Sequence, residues 1–161
     1  MQGDFRTKAK LCDADAWRHV NIGRLLNNAI RRFEGRLLEI MIDSGYADTR
    51  LTLFSLTKNL DVEGTKLTEL ARHAAMTKQA MGELVDECEA LNLVRRVRDP
   101  NDGRARIIMF TQAGRLWLSC FHAAVEQAER EMRTEFGEHQ LEMLIVGLEA
   151  YGAGYDALSK A

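Results

Sequence analysis

The chain has 161 residues, 46% of them hydrophobic and 29% charged, with a formal net charge of −2. That length can bury a core without disulfides or metal, and the composition excludes a disordered or membrane-spanning chain, since no apolar run approaches the roughly 18 residues that a span requires. The slightly acidic balance argues against indiscriminate coating of nucleic acid but leaves room for a locally basic, specific binder. Cys12, Cys88 and Cys120 lie far apart without a Cys-x-x-Cys, and the stretch MQGDFRTKAKLCDADAW lacks the apolar core of a signal peptide, so a reduced cytoplasmic protein is expected.

The first residues show no periodicity. From about Asp15 to Ser44 the pattern is helical, with Ile22, Leu25, Leu26, Ala29, Ile30, Phe33, Leu37, Leu38, Ile40 and Met41 on one side, and Ser44-Gly45 stops it. A helix of about 30 residues spans about 45 Å, too long for a compact lobe to bury alone. A partner subunit is the expected cover. A second helix is expected from Asp48 to Leu60, with Leu51, Phe54, Leu56 and Leu60 in its core, and Asp61-Val62-Glu63-Gly64 turns the chain.

The next stretch carries the chemistry. Thr65, Lys66 and Thr68 open a short helix and could position a phosphate through hydroxyl, amide or charge. After a turn, Thr77 caps a second helix on which Met76, Ala80, Leu84, Cys88 and Leu91 recur at helical spacing. Lys78, Gln79, Gly82, Asp86 and Glu89 are left facing outward. Lysine and glutamine at an exposed helix start suit base edges, and the helix's positive end suits a phosphate. Alone, either side chain is an ordinary solvated residue. Gly82 in mid-helix fits close approach to a duplex or a tight helix crossing; Glu83 and Asp86 fit cytosine, an arginine partner or plain solvation.

Two strands follow, joined by the turn Asp99-Pro100-Asn101-Asp102-Gly103, which holds the chain's single proline. Arg95, Arg96, Arg98, Arg104 and Arg106 outweigh Asp99 and Asp102 here, giving a basic tip on an otherwise acidic body. Strand residues alternate in facing, so these arginines cannot all reach one ligand, and any of them fits a surface salt bridge equally well. A polar helix start beside an arginine-tipped hairpin is what a winged helix-turn-helix needs. Thr111 then caps a helix from Gln112 to about Phe136, with Leu116, Cys120, Phe121, Ala124, Ala128 and Met132 along one side. Gly137 breaks it, and a last helix from Glu138 to Leu158 presents Leu141, Leu144, Ile145, Leu148, Tyr151 and Tyr155 but carries Gly147, Gly152 and Gly154, so it depends on packing.

The segment LTELARHAAMTKQAMGELVDECEALNLVRRVRDPNDGRARIIMFTQAG resembles the DNA-binding lobe of the MarR family of bacterial transcription regulators, most closely in the Asp102-Gly103-Arg104 core and the Thr-x-x-Gly that starts the next helix. The resemblance implies a mainly α fold with a small β-wing, a winged helix-turn-helix with N- and C-terminal dimerisation helices. Residues 1–45 would be an arm and dimerisation helix, 46–112 the DNA-binding lobe and 113–161 the second pair of dimerisation helices. It also implies a homodimer on an inverted-repeat operator, acting as a repressor, with Arg104 in a minor groove and Asp102 holding it. Arg96, Arg98 and Arg106 would share the wing, and Thr77, Lys78, Gln79 and Gly82 the recognition helix. Gly103 departs from the pattern, since many relatives carry another arginine there.

Family members resemble sensors of small aromatic or phenolic ligands, so Trp17, His19, Phe54 and Trp117, with Asn21 and His122 behind them, are candidates for a pocket. Redox sensing through Cys12 and a winged-helix protein–protein module are the alternatives. No cofactor or metal is expected. Catalysis is the weakest reading: His19, His73, His122 and His139 are scattered, no Ser, His and acid arrangement stands out, and Gly152-x-Gly154 does not follow a strand.

Overall fold

A computed structural model describes residues 16–19 and 21–158, which fall into two compact units, 1–36 and 37–161. In the first unit, α1 (Ala16–His19) is followed by α2 (Ile22–Asp43), where one helix from Asp15 was expected. Asn21 explains the restart. Its side-chain oxygen accepts the Arg24 amide at 3.0 Å and its side-chain nitrogen donates to the Trp17 carbonyl at 2.8 Å, so α2 begins with its own cap. Ile22, Leu25 and Ile30 stand open to solvent.

In the second unit, the last turns of α2 bury Leu37, Ile40 and Met41. Gly45, at φ +95°, stops the helix, with its amide on the Ile42 carbonyl and the Tyr46 amide on the Met41 carbonyl. Helix α3 (Leu51–Thr57) is shorter than the expected 48–60. Its N-cap is Arg50, which makes no side-chain capping bond, and the preceding Thr49 hydroxyl accepts the buried Trp117 indole N–H at 3.1 Å. Leu53, Phe54 and Leu56 are buried, whereas Leu51 is exposed.

Thr65 and Lys66 do not open a helix. They form strand β1 (Thr65–Lys66), and α4 (Leu67–His73) starts after them. Thr65 pairs with Ile108 and Lys66 with Ile107, so the hairpin of β2 (Val94–Arg98) and β3 (Arg106–Phe110) becomes a three-stranded antiparallel sheet in the order β1-β3-β2. Gly64 makes this possible: at φ +97° it lies where a Cβ would stand 2.8 Å from the side chains of Ile107 and Met109. Helix α5 (Lys78–Ala90) lies between α4 and β2, and α6 (Gln112–Phe136) and α7 (Glu138–Leu158) complete the chain.

The core gathers where α3 meets α6. The Phe54 ring lies 4.7 Å from that of Phe121, and Trp117 stacks on Phe121 at 5.2 Å. Thr111 caps α6 as expected, accepting the Gly114 amide at 2.9 Å, and its hydroxyl donates to the Asn92 carbonyl at 2.5 Å. On α7, Leu141 is buried while Met143, Leu144, Ile145, Val146, Leu148 and Tyr151 are exposed. No helix among the described residues is long and apolar enough to cross a membrane.

Candidate nucleic-acid interface

Helices α4 and α5 are joined by a tight turn in which Ala75 takes φ +51°. The Met76 amide donates to the Ala71 carbonyl at 2.9 Å and the Ala75 amide to Arg72 at 3.2 Å, the paired bonds that close a helix and release the chain at an angle. Thr77 then caps α5, its hydroxyl accepting the Ala80 amide at 3.1 Å. Lys78 and Gln79 are exposed on the first turn, and the Gln79 amide nitrogen donates to Glu83 at 3.1 Å. The buried face of α5 is Met81, Leu84, Val85 and Cys88, so Leu84 and Cys88 of the expected row are buried while Met76, Ala80 and Leu91 are half-buried. Packing on α3, α4 and β2 brings Met81 and Val85 onto the buried face beside Leu84 and Cys88. A Cβ on Gly82 would meet nothing within 4 Å among the described residues, which removes the tight helix crossing as its reason.

The wing tip is built by two aspartates. The Asp102 carboxylate accepts the Arg104 amide at 3.0 Å, while the Asp102 carbonyl accepts that of Ala105 at 2.9 Å. The Asp99 carboxylate accepts the Asn101 amide at 2.8 Å. Arg104 is exposed beside the tip. Arg106, also exposed, folds its guanidinium back on the carbonyls of Gly103 and Ala105 at 3.3 and 3.2 Å. Arg98 sits opposite Arg106 at the end of the ladder and is exposed.

Two expected contact residues are engaged elsewhere. Arg96 is turned onto α5, where it meets Asp86 at 2.7 Å, Glu89, and the Gly82 carbonyl at 3.1 Å. It therefore does not stand with Arg104 on the open edge, and Asp86 is explained by an arginine partner. Lys66 places its ammonium 2.9 Å from Asp99, a carboxylate only 3% exposed. The bond to Lys66, then the Asn101 amide, hold the Asp99 carboxyl below its usual range, and the same bond raises the Lys66 ammonium. Thr65 is buried with its hydroxyl accepting the Asp61 amide at 3.0 Å, so of the three phosphate-positioning candidates only Thr68 is openly exposed. Asp99 is the anchor that sequence reasoning missed; its place before the lone proline was the available signal.

The proposed pocket residues are divided between the two units. Trp17 and His19 are exposed in the first unit, and Asn21 is occupied as a cap. In the second unit Phe54 and Trp117 are packed into the aromatic core, 0% and 2% exposed, because large rings fill the space between α3 and α6. His122 is exposed. Only one edge of Trp117 borders a cleft, of about 180 Å³, shared with Tyr46, Asp48, Leu91 and Leu93. Cys12 lies outside the described residues. Cys88 is buried, which pushes its thiol up to about 12, and Cys120 is half-buried. Among the described residues no cluster of three His, Cys, Asp or Glu side chains is arranged to hold a metal.

A capped helix of this kind, set behind a turn and flanked by a three-stranded sheet with an arginine-bearing hairpin, defines a winged helix-turn-helix protein. Residues 51–105 match the model of the MarR family. No curated protein sequence matches it significantly. Among solved structures it is similar to a mutant of MarR from E. coli complexed with operator DNA, at 18% identity and TM-score 0.71 over 87% of this chain and 99% of that one. It is also similar to CouR, a transcriptional repressor bound to a 23-mer DNA duplex, at 21% identity and TM-score 0.67 over 89% and 99%. The transcriptional regulator BldR from Sulfolobus solfataricus aligns at 26% identity and TM-score 0.62 over 89% and 99%.

Proposed function

We propose that this chain is a DNA-binding transcriptional regulator that acts as a homodimeric repressor on an inverted-repeat operator. The observation that carries the reading is the pairing, within one lobe, of an open helix start with an open wing. Thr77 caps the first, leaving Lys78 and Gln79 exposed; Asp102 holds the backbone of Arg104 in the second. The helix start offers a donor and an amide to base edges, and the arginine suits the negative potential of a narrow minor groove. The similarity to MarR on operator DNA and to CouR on a duplex supports DNA as the partner.

The homodimer is supported by the apolar row of α7 from Met143 to Tyr151, open along a helix whose glycines make it dependent on packing. On this reading residues 1–45 and 113–161 hold two copies together, and 46–112 meets the operator. The two recognition helices would then enter successive major grooves roughly 34–36 Å apart. Release by a small aromatic or phenolic ligand is carried over from the family, and such a ligand must bind one spacing of the lobes better than the other.

Selection of bound sequences from random DNA, repeated with phenolic acids and with oxidant, tests the reading. A palindromic site whose binding weakens by about 0.9 in log affinity per log salt for each phosphate neutralised is expected. Failure to enrich any sequence, or a flat salt response, overturns it.

A further inference from the structure

Strand β2 is an edge of the sheet, so half of its backbone N–H groups face away from β3. The amide of Arg96 is one of them, and it donates to Glu89 of α5 at 2.8 Å. The Arg96 side chain reaches the same helix. Its guanidinium takes the second oxygen of Glu89, the Asp86 carboxylate at 2.7 Å and the Gly82 carbonyl at 3.1 Å. Positions 82, 86 and 89 follow one face of α5 over two turns, so a single planar fork spans the helix and the strand. The Arg96 and Glu89 side chains are 26% and 31% exposed, which leaves this bridge less screened than one at the open surface.

We propose that Arg96 is a positioning residue that clamps β2, and with it the wing, to α5, so that the wing tip and the start of the recognition helix move as one reading head. The inference rests on the DNA-binding reading above. A wing free to tilt about the sheet would have to be ordered on binding, at a cost in affinity; a clamped wing meets the minor groove at a fixed offset from the helix. Arginine suits the task better than lysine, because an ammonium cannot address two carboxylates and a carbonyl in one plane.

The test uses Arg96→Ala, Arg96→Lys and Glu89→Gln, with Arg104→Ala for comparison. Two quantities are read: hydrogen exchange of the amide at position 96 in the free protein, and affinity for a selected DNA site across a range of salt. Arg96→Ala should speed exchange at this amide about tenfold and weaken binding by a similar factor; Glu89→Gln, which loses the charge but keeps an acceptor for the amide, should shift both in the same direction by less. Their salt slope should stay that of the unsubstituted chain, because no phosphate contact is lost. Arg96→Lys should fall between, and Arg104→Ala should leave the exchange unchanged. A slope shallower by about 0.9 with undisturbed exchange shows that Arg96 touches DNA itself and overturns the clamp. Faster exchange at unaltered affinity reduces the bridge to fold stability and also overturns it. If the unsubstituted chain binds no DNA, the regulator reading and this role fall together, and the exchange arm shows whether the clamp itself exists.

Discussion

Lys66 and Asp99 meet at 2.9 Å and tie the short strand before α4 to the base of the wing. The carboxylate sits below its ordinary value of 3.8 and the ammonium above its ordinary 10.5, each chiefly because of the other. A depressed carboxylate stabilises the fold above 3.8 and loses that contribution as pH falls through its lowered value. A raised ammonium contributes below 10.5 and loses it as pH rises through its raised value. Between those limits the pair's contribution is constant. Asp99→Asn should lower the thermal midpoint at neutral pH and shrink the further drop on acidification to about pH 2. An acid limb of undiminished size in the variant, followed by circular dichroism, would falsify the assignment.

Gly114 stands where a Cβ would lie 1.8 Å from the Leu93 carbonyl oxygen. That oxygen also accepts the Thr111 amide at 3.0 Å, so it cannot move without breaking the bond that holds the capping residue of α6 in place. Gly114→Ala should cost about 3 kcal/mol or more, since the clash is with backbone and no rotamer relieves it. Gly82→Ala is the control, because its Cβ would meet nothing within 4 Å. It should gain about 0.5–1 kcal/mol from helix propensity while weakening DNA binding, if the glycine admits the duplex closely. Urea midpoints read both; equal behaviour of the two glycines contradicts the packing described.

Ala75 holds φ +51° in the turn between the two helices, a conformation costing an L-residue roughly 1–2 kcal/mol. Gly pays no such penalty but loses more chain entropy on folding, by roughly 0.5–1 kcal/mol. Ala75→Gly should therefore leave a net effect between about zero and about 1.5 kcal/mol of stabilisation. A lowered urea midpoint would show that the turn is not left-handed in solution.

The winged lobe was legible because its signals are local. Thr77 and Thr111 announce helix starts, and Asp-Pro-Asn-Asp-Gly announces a turn wherever it occurs. What escaped depends on partners distant in sequence. Thr65 and Lys66 read as a helix start because two residues carry no strand period, and only Ile107 and Ile108 make them a strand. Arg96 and Arg98 look alike along β2; it is Asp86 and Glu89, on another element, that turn one of them inward. Phe54 and Trp117 read as pocket walls because aromatic rings suit ligands and cores alike, and the core took them.

Cys88 tests the redox alternative on a described residue. It is 1% exposed and burial pushes its thiol up to about 12, so almost none of it is thiolate at neutral pH. Under native conditions Cys88 should resist a thiol reagent that labels it fully in urea. Mass spectrometry after timed labelling decides this, and prompt native labelling would contradict the burial of this thiol on α5.

Arg104 and Arg106 are both exposed wing arginines, but only one is committed to its own loop. Arg106 spends its guanidinium on the carbonyls of Gly103 and Ala105, whereas the bond from Asp102 goes to the Arg104 backbone amide and leaves that side chain's fork open to a ligand. An arginine reading a groove is worth about 1–3 kcal/mol, so Arg104→Ala should weaken operator binding roughly tenfold to a hundredfold. Arg106→Ala should cost less, because its removal loosens the tip without removing a groove contact. Asp102→Asn keeps an acceptor for the Arg104 amide and should fall between the two. Titration of the selected site by fluorescence anisotropy orders the three variants, with sedimentation confirming that each keeps the parent's assembly state. The reverse order, with Arg106 the more costly loss, would move the groove contact from the tip to the strand.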